Sequence, residues 1–447
     1  MQTFQLPYIL SIEDLYLSPV YFILLLLLIR FWKKKYYSNS PLRAFIIPAF
    51  LIKIAGSLAL ALIHNFFYGY SDSHNYYTGA HEIWLAAKES PSYGLELIFK
   101  PFENCSAKAQ EFGSHLSYSY FAPSNYLMFK ISGFIGLFCF GAYFPIAMIF
   151  SVFGLIGYWK IFKCFAEEFP KHTKIIFIGC MLSPTTIIWA SNIQKEPLCI
   201  LGLGLCVNGI YNLLKKRISP WFVFEIFAGS LILFFIKSYI LYFFIVAAIF
   251  AAYTAFNNSG TYPSFKKILN WGLFLLFAAA IYWIADNDIA IGNTLSDYFS
   301  GNIEAIQTIQ IDQGGSTYTL PNTTDFSITG MLQSYFGALN VSLFRPYLWE
   351  INNVFAISNA LESTFIMLLT LYLLIRTKVV GFFAFAGKKP ILMFSLIFMF
   401  LMAPLVGFVA FNFGTLVRYK LPFVPFFYTY LLLMYSQLKQ KTKELNG

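Results

Sequence analysis

The side chains able to do chemistry in this sequence gather in four short polar stretches set between long apolar runs. The first is Tyr70-Ser71-Asp72-Ser73-His74-Asn75-Tyr76-Tyr77, where a carboxylate precedes two adjacent phenols. Acceptors beside flat rings suit a sugar, whose hydroxyls need partners and whose apolar faces stack on aromatics. The same residues would also serve as a capped helix start anchored by interfacial tyrosines. The second stretch, Asn192-Ile193-Gln194-Lys195-Glu196-Pro197, places an ammonium beside a carboxylate. Lys195 can take an anionic group there while Glu196 orients it; a plain polar hairpin tip is the alternative. Pro184 upstream is expected to bend or unwind its run, and Pro197 to stand as the first residue of the next helix. Lys237 marks a second tight hairpin, where a snorkelling lysine is the simpler explanation.

The third stretch runs Arg345-Pro346-Tyr347-Leu348-Trp349-Glu350-Ile351-Asn352-Asn353 and is followed by Glu362. A guanidinium grips phosphate or carboxylate through two parallel bonds, and Trp349 suits the membrane interface. Glu362 falls well inside an apolar run, and an intramembrane carboxylate needs a partner. Lys53 and the arginines of the outer face are the nearest basic candidates. The fourth stretch, Arg418-Tyr419-Lys420-Leu421-Pro422, opens the final apolar run at the end where retained positive charge is unexpected. An anionic ligand such as a polyprenyl diphosphate would compensate it, as would pairing with Glu196, Glu350 or Glu362.

The elements that must position these groups are membrane helices. With 58% hydrophobic residues, 12% charged and 20% aromatic in 447 residues, the chain is an all-α, polytopic integral membrane bundle. Eleven spans are expected, at about 17–31, 44–68, 142–162, 174–192, 197–214, 220–236, 239–256, 270–285, 353–375, 391–411 and 417–437. Lys and Arg cluster in six short inter-span segments that alternate as inner loops should, from Arg30 to Arg43 through to Lys439 to Lys443. This threading puts the N-terminus outside and the C-terminus inside, in a single transmembrane domain over 1–447. Two long outer loops result, 69–137 and 286–350. Within the first, residues 123–137 are too short to cross and would lie at or dip into the interface.

The net charge of +10 is spread over short loops, so it indicates inside-positive bias with attraction to anionic headgroups and no nucleic-acid partner. Five of the six cysteines fall in or beside spans, leaving only Cys105 in an outer loop, so no disulfide framework is expected there. The acidic start lacks a basic n-region and reads as an uncleaved anchor. No P-loop, GxGxxG or HExxH is present, and no internal repeat of the kind that builds many transporters.

The order Asp72 to Tyr77, Pro123 to Phe129, Asn192 to Glu196, then Arg418-Tyr419 resembles the EpsG/Wzy-type polysaccharide polymerases of bacterial envelopes. Lys195-Glu196 departs from the Arg-Gln more usual there. Arg418-Tyr-Lys-Leu-Pro is also similar to a late element of some GT-C glycosyltransferases, although Asp72 follows the second span rather than the first. The resemblance implies a multi-pass enzyme of the bacterial inner membrane, with its site facing the periplasm or exterior. Such an enzyme extends or polymerises polyprenyl-diphosphate-linked oligosaccharide, needs no metal or other cofactor, and works with a chain-length regulator protein. Asp72, Glu196, Glu350 and Arg418 would then be catalytic. Tyr76, Tyr77, Asn192, Lys195, Lys237, Arg345, Trp349, Glu362 and Lys420 would bind substrate. The alternatives are a GT-C-type transferase using a polyprenyl-monophosphate sugar and a flippase for lipid-linked glycan. Arg345, Arg418 and Lys420 are expected to hold the diphosphate, with Asp72, Lys195, Arg345 and Arg418 gathering round one cavity.

Overall fold

The computed structural model describes residues 10–68, 71–119, 123–258, 318, 328–351, 354–410 and 412–446. All regular elements among them are helical. Among the described residues, seven helices are long and apolar enough to cross a bilayer, which makes this a multi-pass membrane protein. The chain gathers into two compact units, Met1–Leu241 and Tyr242–Gly447.

In the first unit, α1 (Ile12–Tyr37) and α2 (Arg43–Ile63) pack on each other and on α8 (Tyr143–Glu168). A π-helical turn over His64–Tyr68 continues α2. The segment expected as an outer loop is helical: α3 (Asp72–Glu89), α4 (Pro91–Phe99), α5 (Ala107–Phe112), α6 (Ser114–Ser119) and α7 (Pro123–Phe138). Tyr76, Tyr77, Ala80 and Ile83 recur at helical spacing and form the buried stripe of α3, which packs on α7. The 16 residues of α7 are too few to cross, as expected.

The run read as a span at 174–192 is broken by its proline. α9 (Thr173–Met181) stops, Ser183 turns extended, and Pro184 starts a five-residue α10 (Pro184–Ile188). The Ser183 hydroxyl caps α10 by accepting from the Thr186 amide at 3.2 Å. A turn over 189–194 leads into α11 (Lys195–Leu214), which begins two residues before Pro197. Proline is tolerated at this third position because the first four amides of a helix lack intrahelical acceptors anyway.

α8 and α11 run parallel. Tyr143 at the start of α8 bonds Asn192 just before α11, and Glu168 at the end of α8 pairs with Lys215 beyond α11. Glycine permits their approach: a Cβ on Gly157 would stand 2.1 Å from the Ile200 carbonyl oxygen. The 20 residues of α11 separate Lys195 from the Lys215 end by about 30 Å, one hydrocarbon thickness. At that far end Lys215–Glu168, Arg217–Glu167 and Lys160–Glu225 pair at 2.6, 2.9 and 2.7 Å. α12 (Pro220–Asn258) covers the expected spans 220–236 and 239–256 as two helical halves that meet at a kink at Lys237, whose dihedrals are non-helical (φ −151°, ψ 81°).

The second unit contains α13 (Ile328–Phe344), α14 (Val354–Ala386), α15 (Pro390–Val409), α16 (Phe413–Tyr419) and α17 (Val424–Asn446). α13 packs on α15, and α14 on α17. The span expected at 417–437 is divided by the turn between Tyr419 and Val424. The expected span 270–285, most of loop 286–350, Tyr70 and the Asn352-Asn353 pair lie outside the described residues. All six cysteines are buried, and no disulfide joins them.

Candidate functional site

Each unit carries its own polar cluster. In the first, α3 begins at Asp72 behind its cap Ser71, whose hydroxyl accepts from the His74 amide. The same hydroxyl lies 2.9 Å from His74 Nδ1. The His74 ring is 6.3 Å from that of His64, which lies 6.2 Å from Trp189. Burial pushes the His74 imidazole down from 6.5 to about 4, so it is neutral at pH 7.

The two tyrosines that looked like a sugar platform face inward. Tyr76 donates to Asn125 Oδ1 at 3.0 Å, and Tyr77 to the Gly141 carbonyl at 3.0 Å. The Tyr77 ring meets Tyr143 edge-on at 5.2 Å. Burial raises the Tyr77 phenol above its usual value. Both side chains therefore fix α3 against α7 and α8. Asn192 is likewise structural. Its Oδ1 accepts from Tyr143 at 2.8 Å and from the Ile193 amide at 2.7 Å, while Nδ2 donates to the Ser57 carbonyl at 3.3 Å. With 0% exposure, Asn192 is the keystone of the turn rather than a surface that greets a substrate.

What this scaffold holds is a charged group drawn from three helices, with a serine from a fourth. Lys195 at the start of α11 donates to Ser124 Oγ at the start of α7, at 2.8 Å. Its ammonium also feels the charges of Lys237, Glu196 and Asp72. Lys237, at the one non-helical residue of α12, pairs with Glu196 Oε1 at 3.1 Å. Asp72, Lys195, Glu196 and Lys237 are thus brought together within the first unit, and Ser124 joins them. Glu196 is almost wholly enclosed and engaged by Lys237, so it orients an ammonium and is poorly placed to be a general base. Asp72 and Lys195 are only partly buried. The set can hold an anion on two ammoniums with a carboxylate alongside to accept a proton.

Lys53 stays in the first unit. Its ammonium donates to the Thr186 carbonyl at the broken helix and lies 4.2 Å from the centre of the Tyr158 ring. It therefore supplies a donor to backbone freed by the break, a requirement wherever a helix is interrupted at membrane depth.

In the second unit, Arg345 and Glu350 are consumed by each other. Arg345 Nε bonds both Glu350 oxygens at 2.9 and 3.0 Å, and Nη2 adds a third contact. Glu350 Oε2 also accepts from the Tyr347 amide at 2.8 Å. The guanidinium lies 5.2, 5.3 and 5.9 Å from the rings of Tyr318, Phe413 and Tyr347. An arginine so enclosed is not a free phosphate grip, nor is Glu350 a free base. Trp349 stacks on Tyr347 at 4.7 Å and is otherwise exposed, as an interfacial residue would be. The fully buried Lys420 reaches Ser363 Oγ at 3.4 Å and feels the charge of Glu362, which also bonds Tyr428. Glu362 and Lys420 therefore lie within electrostatic reach of each other inside the second unit. Arg418 sits half-buried on the short α16, whose cap Asn412 accepts from the Thr415 amide at 2.6 Å.

Sequence reasoning missed Ser124, Asn125, Tyr143, Ser363 and Tyr428. Only Ser124-Asn125 carried a signal, two polar residues following Pro123 at a helix start. No protein-family model matches the chain, and no curated protein or solved structure matches it.

Proposed function

We propose that this protein is a glycosyl-transferring enzyme of the bacterial inner membrane that extends or polymerises polyprenyl-diphosphate-linked glycan. The observation that carries this reading is the joining of three sequence-remote motifs inside the first unit. Lys195 bonds Ser124, Tyr76 bonds Asn125, and Asp72 acts on Lys195 through space. These are the first three motifs on which the resemblance to EpsG/Wzy-type polymerases rests.

In the reaction, the acceptor hydroxyl oxygen attacks the anomeric carbon of the lipid-linked sugar. The bond from that carbon to the diphosphate oxygen breaks, and the diphosphate leaves with the electron pair. Lys195 and Lys237 stabilise the charge that develops on it, and Asp72 takes the hydroxyl proton. Glu196 positions Lys237. The Arg345–Glu350 and Lys420–Glu362 groups support the second unit, and Arg418 is its remaining candidate for substrate contact. The reading keeps eleven crossings, with the N-terminus outside, the C-terminus inside and the Lys195 end of α11 facing the periplasm. A chain-length regulator protein is the partner it implies.

The test is complementation of a deletion strain with Asp72→Asn and Lys195→Ala, scored for polymer and lipid-linked repeat units at matched membrane abundance. Both variants should lose polymer while single repeats accumulate on lipid; undiminished polymer refutes the reading. Activity of the purified protein with a polyprenyl-monophosphate sugar, blocked by chelation, would instead establish the GT-C-type reaction. Reconstituted lipid movement without change in the glycan would establish a flippase. Against the flippase, the charges within the crossing helices have internal partners: Lys53 the Thr186 carbonyl, Glu225 Lys160, and Glu362 the Tyr428 hydroxyl.

A further inference from the structure

In the second unit, α14 and α17 leave between them a cavity of about 250 Å3, lined by Tyr372, Arg376, Tyr435, Leu438, Lys439 and Thr442. Tyr372 and Arg376 are one turn apart on α14, and the other four recur at three- and four-residue steps on one face of α17. The two tyrosine rings meet at 6.0 Å. The volume falls just below the roughly 300–1,000 Å3 of a drug-sized ligand site, so it suits a small head group.

Three observations identify the chemistry. Arg376 and Lys439 enter no ion pair among the described residues, and no carboxylate lines the cavity. The cations at the Lys215 end of the first unit, by contrast, pair with Glu167, Glu168 and Glu225. Next, α14 loses helical dihedrals at Lys378 (φ 57°), so Arg376 stands at the end of its crossing stretch. This is also the Lys/Arg-rich end of the unit, with Lys378, Lys388, Lys389, Lys441 and Lys443 nearby in sequence and only Glu444 to offset them. Finally, Ile375, Val379 and Val380 beside Arg376 are exposed apolar side chains, which suits contact with acyl chains.

We infer that this cavity binds the phosphate of an anionic phospholipid from the leaflet at the Lys/Arg-rich end, which inside-positive bias makes the inner one. The Arg376 guanidinium and Lys439 ammonium take the phosphate oxygens, and the tyrosines flank the glycerol, while the Thr442 hydroxyl stays bonded to the Leu438 carbonyl at 3.1 Å. This site is independent of the cluster round Lys195 and of the reaction proposed for it.

Native mass spectrometry of the full-length protein in detergent, with phosphatidylglycerol or phosphatidylcholine added, tests the assignment. The protein should retain phosphatidylglycerol preferentially. Arg376→Gln and Lys439→Gln should each weaken that preference about fivefold, as expected for one cation near an anionic surface. Lys34→Gln, at the basic end of α1, should leave it unchanged. Both cavity cations are exposed, so each single variant should elute and unfold as the parent does. Equal retention of the two lipids, or undiminished preference in the double variant, overturns the proposal. Displacement of phosphatidylglycerol by an equal concentration of glycerol phosphate overturns the lipid assignment in favour of a soluble phosphate.

Discussion

Replacing Lys237 by Met should destabilise the protein far more than its position at a helix bend implies. The Glu196 side chain is 2% exposed and Lys237 13%, so water screens their pair little. Removing one partner of a buried pair leaves a charge in low dielectric and costs about 3–5 kcal/mol. Arg217–Glu167 provides an internal comparison, with side chains 54% and 27% exposed. Arg217→Met should cost no more than about 1 kcal/mol, the usual upper range for solvated pairs. Lys237→Met combined with Glu196→Gln removes both charges at similar volume and should recover most of the loss. The assay is reversible unfolding of the full-length protein in mixed micelles, followed by tryptophan fluorescence, over the two single variants, the double variant and the Arg217 control. Should Lys237→Met cost no more than Arg217→Met, or the double variant cost the sum of its singles, the enclosed pair described above is wrong.

Three further outcomes are expected. Lys53→Met keeps an unbranched side chain one atom shorter and removes the donor to the Thr186 carbonyl; a loss of about 1–3 kcal/mol in the same unfolding assay is expected. Gly157→Ala sets a methyl 2.1 Å from a backbone oxygen that cannot rotate away, so α8 and α11 must separate and the folded yield in membranes should drop sharply. The third concerns pH. His74 falls from 6.5 to about 4 in the folded chain, so the unfolded chain binds its proton first. Its contribution is complete above about pH 6.5 and declines as pH falls toward 4; His74→Gln should flatten the unfolding temperature across that window. Glu96, held at about 2 mainly by the Ser106 amide, loses its contribution only between about pH 4.5 and 2.

Much of the architecture is legible in sequence because apolar run length and Lys/Arg clustering report directly on a bilayer. The break before Pro184 and the departure at Lys237 were visible for the same kind of reason: a missing amide donor in one case, a lone cation between two apolar runs in the other. Of the helices α3 to α6, only the capped start of α3 was visible, as an alternative reading of the Asp72 stretch. Their buried stripes alternate with enough Ser, His, Glu and Lys that a hydropathy average registers only a polar loop. The partners of charged groups were also hidden. Arg345 and Glu350 are five residues apart, and a 3-10 turn at Leu348–Glu350 brings the carboxylate back onto the guanidinium. Glu362 and Lys420 meet only through tertiary packing, which no local spacing encodes. For the charged group round Lys195, residue type announced the cations, whereas Ser124 and the keystone role of Asn192 required the fold.

The charges of Asp72, Lys195, Glu196 and Lys237 sum to zero, so the cluster by itself is an electroneutral island at a boundary where net charge is costly. A doubly ionised guest would upset that balance, leaving two uncompensated negative charges in poorly screened surroundings. Its arrival must draw in protons or small cations along with it.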